Sequence, residues 1–228
     1  MISVIPIHDL PEFERGMNIG DEIVKRFDLL VGDVVVVTSK IVSKSEGRLV
    51  VAESRGDFEK NVLAESRRVL RRRGEMMIVE THHGFVCANA GIDQSNVPAG
   101  YLALLPKDSD RSARRIRDQI AARTGVKVGV IVSDTFGRSW RRGVTDVALG
   151  VAGVAAIVDL RGSLDANQRE LKVTEVAIAD EIASAAELVK GKASNVAVVV
   201  VRGLDKTYLR ESSVIEEIVR TPAEDLFR

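Results

Sequence analysis

Cysteine is almost absent from these 228 residues: Cys87 stands alone, so the chain can form no internal disulfide and no cysteine-built zinc cage. Its neighbours in the run Gly84-Phe85-Val86-Cys87-Ala88 predict a small buried hydrophobe rather than a nucleophile. Aromatic residues make up only 4%, too few for a surface on which bases stack. Charge of one sign is not in excess either. With 33 basic and 33 acidic residues the formal net charge is zero, so no overall field recruits nucleic acid or an anionic membrane. Long apolar runs are also missing, since Val196–Val201 is far shorter than the roughly 20 residues a bilayer helix needs. The start, Met1-Ile2-Ser3-Val4-Ile5-Pro6, lacks the basic region and apolar stretch of a signal peptide. A cytoplasmic protein with no nucleic-acid or membrane partner is expected.

Familiar site motifs are missing as well. There is no Gly-x-x-x-x-Gly-Lys-Ser/Thr loop and no Gly-x-Gly-x-x-Gly, so P-loop and dinucleotide-binding explanations lose support. His82 and His83 are adjacent, His8 is remote and no His-x-x-x-His pair exists, which argues against a zinc hydrolase. Adjacent histidines on a strand point to opposite faces, and both read as turn or edge residues, with a general base as the alternative for one of them.

What the chain does have is 45% apolar residues, enough for a sizeable core. Buried strands are predicted at Asp33–Thr38, Met76–Glu80, Val128–Val132, Val154–Val158 and Val196–Val201, where β-branched residues dominate. Helical spacing appears in Glu59–Arg73, Ser112–Arg123 and Thr174–Lys190, the last stopped by Gly191. The basic tract Arg67–Arg73 then reads as a solvated helix face. Pro106–Asp110 reads as a surface turn before a helix or a seam between lobes. With no low-complexity linker and no internal repeat, residues 1–228 are expected to form a single catalytic domain of two lobes at most, of α/β or α+β class.

Two acidic stretches carry the chemistry. Ala90-Gly91-Ile92-Asp93-Gln94-Ser95-Asn96 and Val132-Ser133-Asp134-Thr135-Phe136-Gly137-Arg138-Ser139-Trp140-Arg141-Arg142-Gly143 each follow an apolar run. Both place a carboxylate, a hydroxyl or amide, and a glycine where a strand is expected to end. Asp93 and Asp134 offer hard oxygens for Mg²⁺ or Mn²⁺, and Thr135, Ser95 and Asn96 add neutral ones. Arg138, Arg141 and Arg142 offer guanidinium forks for phosphate. The plainer alternative makes Asp134-Thr135 a cap for a following helix and the arginines a solvated face. A third stretch, Val36–Arg48, runs from a buried strand into two lysines, three serines and a glycine. It reads either as a phosphate-facing strand exit or as an edge strand guarded by lysine.

Val37–Arg48, Ala90–Asn96, Ser133–Arg141 and Val173–Ala177, in that order, resemble the coenzyme F-420-0:L-glutamate ligase family, the gamma-glutamyl ligases of deazaflavin biosynthesis. The resemblance runs from about Val4 to Phe227. It implies an unusual α+β fold of mixed sheets with helices in an intertwined homodimer. It implies GTP-dependent addition of L-glutamate to the lactyl carboxylate of F-420-0 and then to the γ-carboxylate of the glutamate already attached. An acyl phosphate is the chemical route, because a carboxylate does not accept an amine at neutral pH. Carried onto this chain, Asp93 and Asp134 would ligate one divalent ion, Mg²⁺ or Mn²⁺, and Thr135 would contact a second, with K⁺ a further cation. Leu10, Pro11, Glu12, Phe13, Ser39, Lys44 and Asn96 would line the GTP site.

Departures from the family pattern also carry expectations. Many relatives have a glutamine where Lys192 stands, and a protonated lysine cannot ligate a cation. This chain should therefore lack the second ion or use Lys192 on phosphate. Relatives often have glycine near Gln168. Some continue beyond a segment like Ala223–Phe227 into a nitroreductase-like domain. Two alternatives use the same residues: a metal-dependent phosphohydrolase, and a deazaflavin-binding module without turnover.

Overall fold

The computed structural model describes residues 1–191 and 194–225. From the N-terminus, β1 (Ser3–Ile7) leads through a loop to α1 (Ile19–Val24) and β2 (Val34–Thr38), which passes straight into α2 (Ser39–Ser45). A smaller region follows with β3 (Leu49–Val51), α3 (Arg55–Ala64), β4 (Ser66–Arg73), β5 (Met76–Thr81), β6 (Val86–Ala88) and β7 (Tyr101–Ala103). The chain then forms α4 (Ser109–Thr124), the long hairpin β8 (Gly129–Arg138) and β9 (Arg141–Ala152), and the short pair β10 (Val158–Asp159) and β11 (Glu175–Val176). It closes with α5 (Ile178–Lys190), β12 (Val198–Arg202) and α6 (Val214–Glu217).

Five strands in the order β1-β12-β2-β8-β9 make the main sheet, in which only β2 and β8 run parallel. Smaller sheets pair β4-β5-β6, β3-β7 and β10-β11. Mixed sheets with helices between them make the architecture α+β, in line with the expectation. The valine runs are apolar throughout because both faces of the main sheet are covered. Val34, Val36, Ile131, Val199 and Val201 pack with Ile178, Ile182 and Ala186 of α5. The alternate residues Val35, Val37, Val130, Val132, Val198 and Val200 pack with Ile19 and Ile23 of α1, Ile41 of α2, and Ile116 and Ile120 of α4. The period of two along each strand thus sorts one sequence run into two cores.

Three expectations need correction. The helix predicted over Glu59–Arg73 ends at Ala64, and Ser66–Arg73 is β4, paired antiparallel with β5. Its arginines stand on an exposed strand instead of a helix face. Arg67 and Arg68 meet the buried Glu80, and Arg72 meets Glu59. The ladder and these ion pairs lie outside any local window, so helical spacing was overridden by tertiary pairing. In the run Val154–Val158 only Val154, Ala155 and Ala156 are buried, and it is no strand until Val158. Ala155 N donates to Tyr208 O at 2.7 Å and Ala156 N to Ser212 Oγ at 2.8 Å, so its backbone partners come from the C-terminal segment. The last predicted helix begins at Ile178 and not Thr174, because Glu175–Val176 is held in β11. Its stop at Gly191 is as expected.

Pro106–Asp110 is the turn before α4, with Asp108 capping the helix by accepting from Arg111 N at 2.8 Å. Gln168 takes a left-handed backbone at φ 61°, the conformation glycine adopts without strain. Cys87 is buried, and burial pushes its thiol up to about 12, so it packs and does not react. Among the described residues no helix is long and apolar enough to cross a membrane.

Candidate active site

Where the parallel pairing of β2 with β8 ends, at Thr38 and Ser133, a cavity of about 750 Å³ opens. Its walls come from the loop after β1 (Leu10, Pro11, Glu12, Phe13), from α2 (Lys40, Lys44), from the stretch after β6 (Asp93, Ser95, Asn96) and from β8 (Ser133, Asp134, Thr135). Asp146 of β9, with Glu187 and Lys190 of α5, completes it. Two segments far apart in sequence, Asp93–Asn96 and Ser133–Thr135, are therefore brought to one place.

The local shapes differ from those expected. Asp134 does not follow a strand: β8 continues to Arg138 and turns into β9, so no helix follows for Asp134-Thr135 to cap. The residues after β2 form helix α2 and no edge strand, with Lys44 buried against the carboxylate of Glu12. Arg138, Arg141 and Arg142 sit exposed at the hairpin turn and do not line the cavity, and Arg138 Nη2 donates to Arg142 O at 3.0 Å. Ser39 does not line it either; it stands behind Asp134 and its hydroxyl donates to that carboxylate. Phe13 belongs to the core, at 3% exposure, so it anchors its loop more than it offers a ring.

Electrostatics distinguish the two predicted carboxylates. Burial pushes the Asp134 carboxyl up to about 7 against the pull of Thr135 N–H and the Ser39 hydroxyl, and the nearby charges of Asp146 and Asp93 push the same way. For Asp93, burial also opposes the charge. The Lys40 ammonium at 2.6 Å, with Ser95 N and Ser95 Oγ at 2.6 and 3.0 Å, outweighs it and holds the carboxyl below its usual range. Lys40 Nζ also donates to Ser95 Oγ at 2.8 Å. Asn96 accepts a left-handed backbone at φ 53°, which turns the chain so that Ser95 and Asn96 both face the cavity.

Among the described residues, no group of three or more His, Cys, Asp or Glu side chains could hold a metal. Of the carboxylates that line the cavity, Asp93 and Asp134 stand with neutral oxygens from Ser95 and Thr135, while Glu12 and Asp146 are paired with Lys44 and Lys190. That set suits Mg²⁺ or Mn²⁺, which keep water and take phosphate oxygens beside one or two carboxylates. A cation would also offset the burial and the neighbouring carboxylates that raise Asp134. Lys192, where the family glutamine would stand, lies outside the described residues.

Spacing alone missed Asp146, Glu187 and Lys190. The available signal was a charged residue on an apolar stripe: Lys190 continues the buried series Ile182, Ala186, and Asp146 alternates with the buried Ala148 and Gly150.

The model of the family F420-0:Gamma-glutamyl ligase matches residues 8–203, a span that includes every residue lining the cavity. The chain belongs to this family. It is 39% identical over 249 residues to the coenzyme F420:L-glutamate ligase of Methanothermobacter thermautotrophicus, covering 100% of this chain and 99% of the relative. It is 40% identical over 250 residues to that of Methanopyrus kandleri, covering 100% and 99%. With the enzyme of Methanocaldococcus jannaschii it shares 38% over 238 residues, covering 96% and 94%. The match covers 94–99% of each of these relatives, so the cavity is not compared across a shared fragment.

Proposed function

We propose that this chain is a GTP-dependent ligase that joins L-glutamate to coenzyme F-420-0, and then a further glutamate to the γ-carboxylate of the first, through an acyl phosphate. The observation that carries the reading is the convergence of Asp93, Asp134, Thr135, Lys40 and Lys44 on one cavity in a member of a gamma-glutamyl ligase family. Amide formation from a carboxylate needs an activated acyl group, and a phosphoryl donor supplies it. Lys40 and Lys44, now paired with Asp93 and Glu12, would turn to phosphate oxygens when the nucleotide binds. Leu10, Pro11, Glu12 and Asn96, which line the cavity, would hold the nucleoside. Mg²⁺ or Mn²⁺ on Asp93 and Asp134, with Thr135 toward a second ion, would neutralise the phosphate charge. A homodimer is part of the proposal.

The test is mass spectrometry of F-420-0 incubated with the protein, L-glutamate, Mn²⁺ and GTP or ATP, beside Asp134→Ala. Stepwise gain of glutamyl units with GTP, at least about 100-fold slower in the variant, is the expected result. Phosphate release that ignores glutamate would instead identify a phosphohydrolase. An unchanged acceptor, with F-420-0 bound, would identify a binding module.

A further inference from the structure

Asp146 occupies a position that no motif announces. It is 2% exposed on β9, and among the described residues three donors meet its carboxylate: the Lys190 ammonium, the Ser133 hydroxyl at 3.2 Å and the Thr135 hydroxyl at 2.7 Å. A carboxylate this deep stays charged only if it is paired and hydrogen-bonded. Lys190, itself 3% exposed, supplies the pair. It is the last residue of α5, the helix end that favours a cation, and its ammonium also donates to Ser133 Oγ at 2.9 Å.

Two further ties hold α5 against β9: Ser184 Oγ donates to Asp146 O at 2.8 Å, and Asp180 Oδ1 accepts from Ala148 N at 2.9 Å. The Asp146 carboxylate is therefore fixed by a strand and a helix instead of a loop, the condition for setting a neighbour's geometry.

A carboxylate can only accept, so the Thr135 hydroxyl must donate to Asp146. A hydroxyl whose proton is committed in this way offers its oxygen, and not its hydrogen, to whatever occupies the cavity. We infer that Asp146 is a positioning residue that turns the Thr135 oxygen toward a cation at the phosphate end of the substrate, with Lys190 balancing its charge. The inference rests on the cation–nucleotide reading of the cavity. It also accounts for the buried ion pair, since apolar residues could fill the same space but could not orient a hydroxyl.

The test is Mn²⁺ binding to the full chain, followed by electron paramagnetic resonance in the presence of guanosine 5′-(β,γ-imido)triphosphate. The variants are Asp146→Asn, the charge-balanced Asp146→Asn with Lys190→Met, and each of these combined with Thr135→Val. The charge-balanced variant is expected to fold and to bind Mn²⁺ about 10–100-fold more weakly. In the Thr135→Val background the same exchange is expected to change Mn²⁺ affinity by less than about twofold, because the hydroxyl it acts through is gone. Parent-like Mn²⁺ affinity in the charge-balanced variant would overturn the inference. So would an undiminished effect in the Thr135→Val background, a charge-balanced variant that cannot fold, or a parent that binds no Mn²⁺. A parent that binds Mn²⁺ with the analogue but adds no glutamate to F-420-0 overturns the ligase proposal and leaves the role of Asp146 standing.

Discussion

Asp134 is held in an environment that disfavours its charge. Its folded-state value of about 7 lies above the ordinary 3.8, so between those two pH values the folded chain keeps a proton that the unfolded chain has released. Without metal, the contribution of Asp134 to stability is therefore fully present below the unfolded value and is lost as pH rises through about 7. Asp134→Asn should raise the melting temperature of the chelator-treated protein at pH 8 and make little difference near pH 4. Thermal melts across that range check the prediction, and a variant no more stable than the parent at pH 8 would contradict it. A cation bound beside Asp134 should flatten the dependence, since the charged carboxylate is then the favoured form. Asp93 responds differently because Lys40 and Ser95 already satisfy it.

At the scale of elements, the start of α4 is held onto β9 by a contact that leaves no room for a side chain. A Cβ on Gly150 would lie 2.1 Å from the carbonyl carbon of Ser109. One residue on, the buried Asp110 accepts from Val151 N at 2.7 Å, Val214 N at 3.2 Å and Ser213 Oγ at 2.7 Å, joining α4, β9 and α6. Asp110→Ala strands two buried backbone N–H groups, each worth about 1–3 kcal/mol. We expect a loss of roughly 3–5 kcal/mol by urea unfolding, and a loss below about 1 kcal/mol would show that water replaces the carboxylate.

At the scale of the whole molecule, the β8–β9 hairpin leaves the main sheet and carries Trp140, 83% exposed, with Val144 beside its turn. Exposed apolar groups on a projecting arm favour association. We expect light scattering to give about twice the 24.8 kDa of one chain, and Trp140→Ser with Val144→Ser to shift the population toward monomer. A monomeric parent at micromolar concentration would sink the dimer proposal.

Much of this protein was legible in its residues. The β-branched runs gave four of the five strands predicted, because a strand covered on both faces must be apolar throughout. The stretches around Lys44, Asp93 and Asp134 do line one cavity, but the helix cap and the guarded edge strand, the plainer readings of two of them, were excluded only by the structure. Cys87 was readable as core from its apolar neighbours. Tertiary structure decided the rest. Ser66–Arg73 became a strand through partners in β5, Val154–Ala156 found their hydrogen bonds in the C-terminal segment, and the hairpin arginines were carried away from the cavity. Asp146 and Lys190 could not be paired from sequence at all. Their contact spans 44 residues and exists only because α5 packs across β9, and a local pattern holds no record of such a contact.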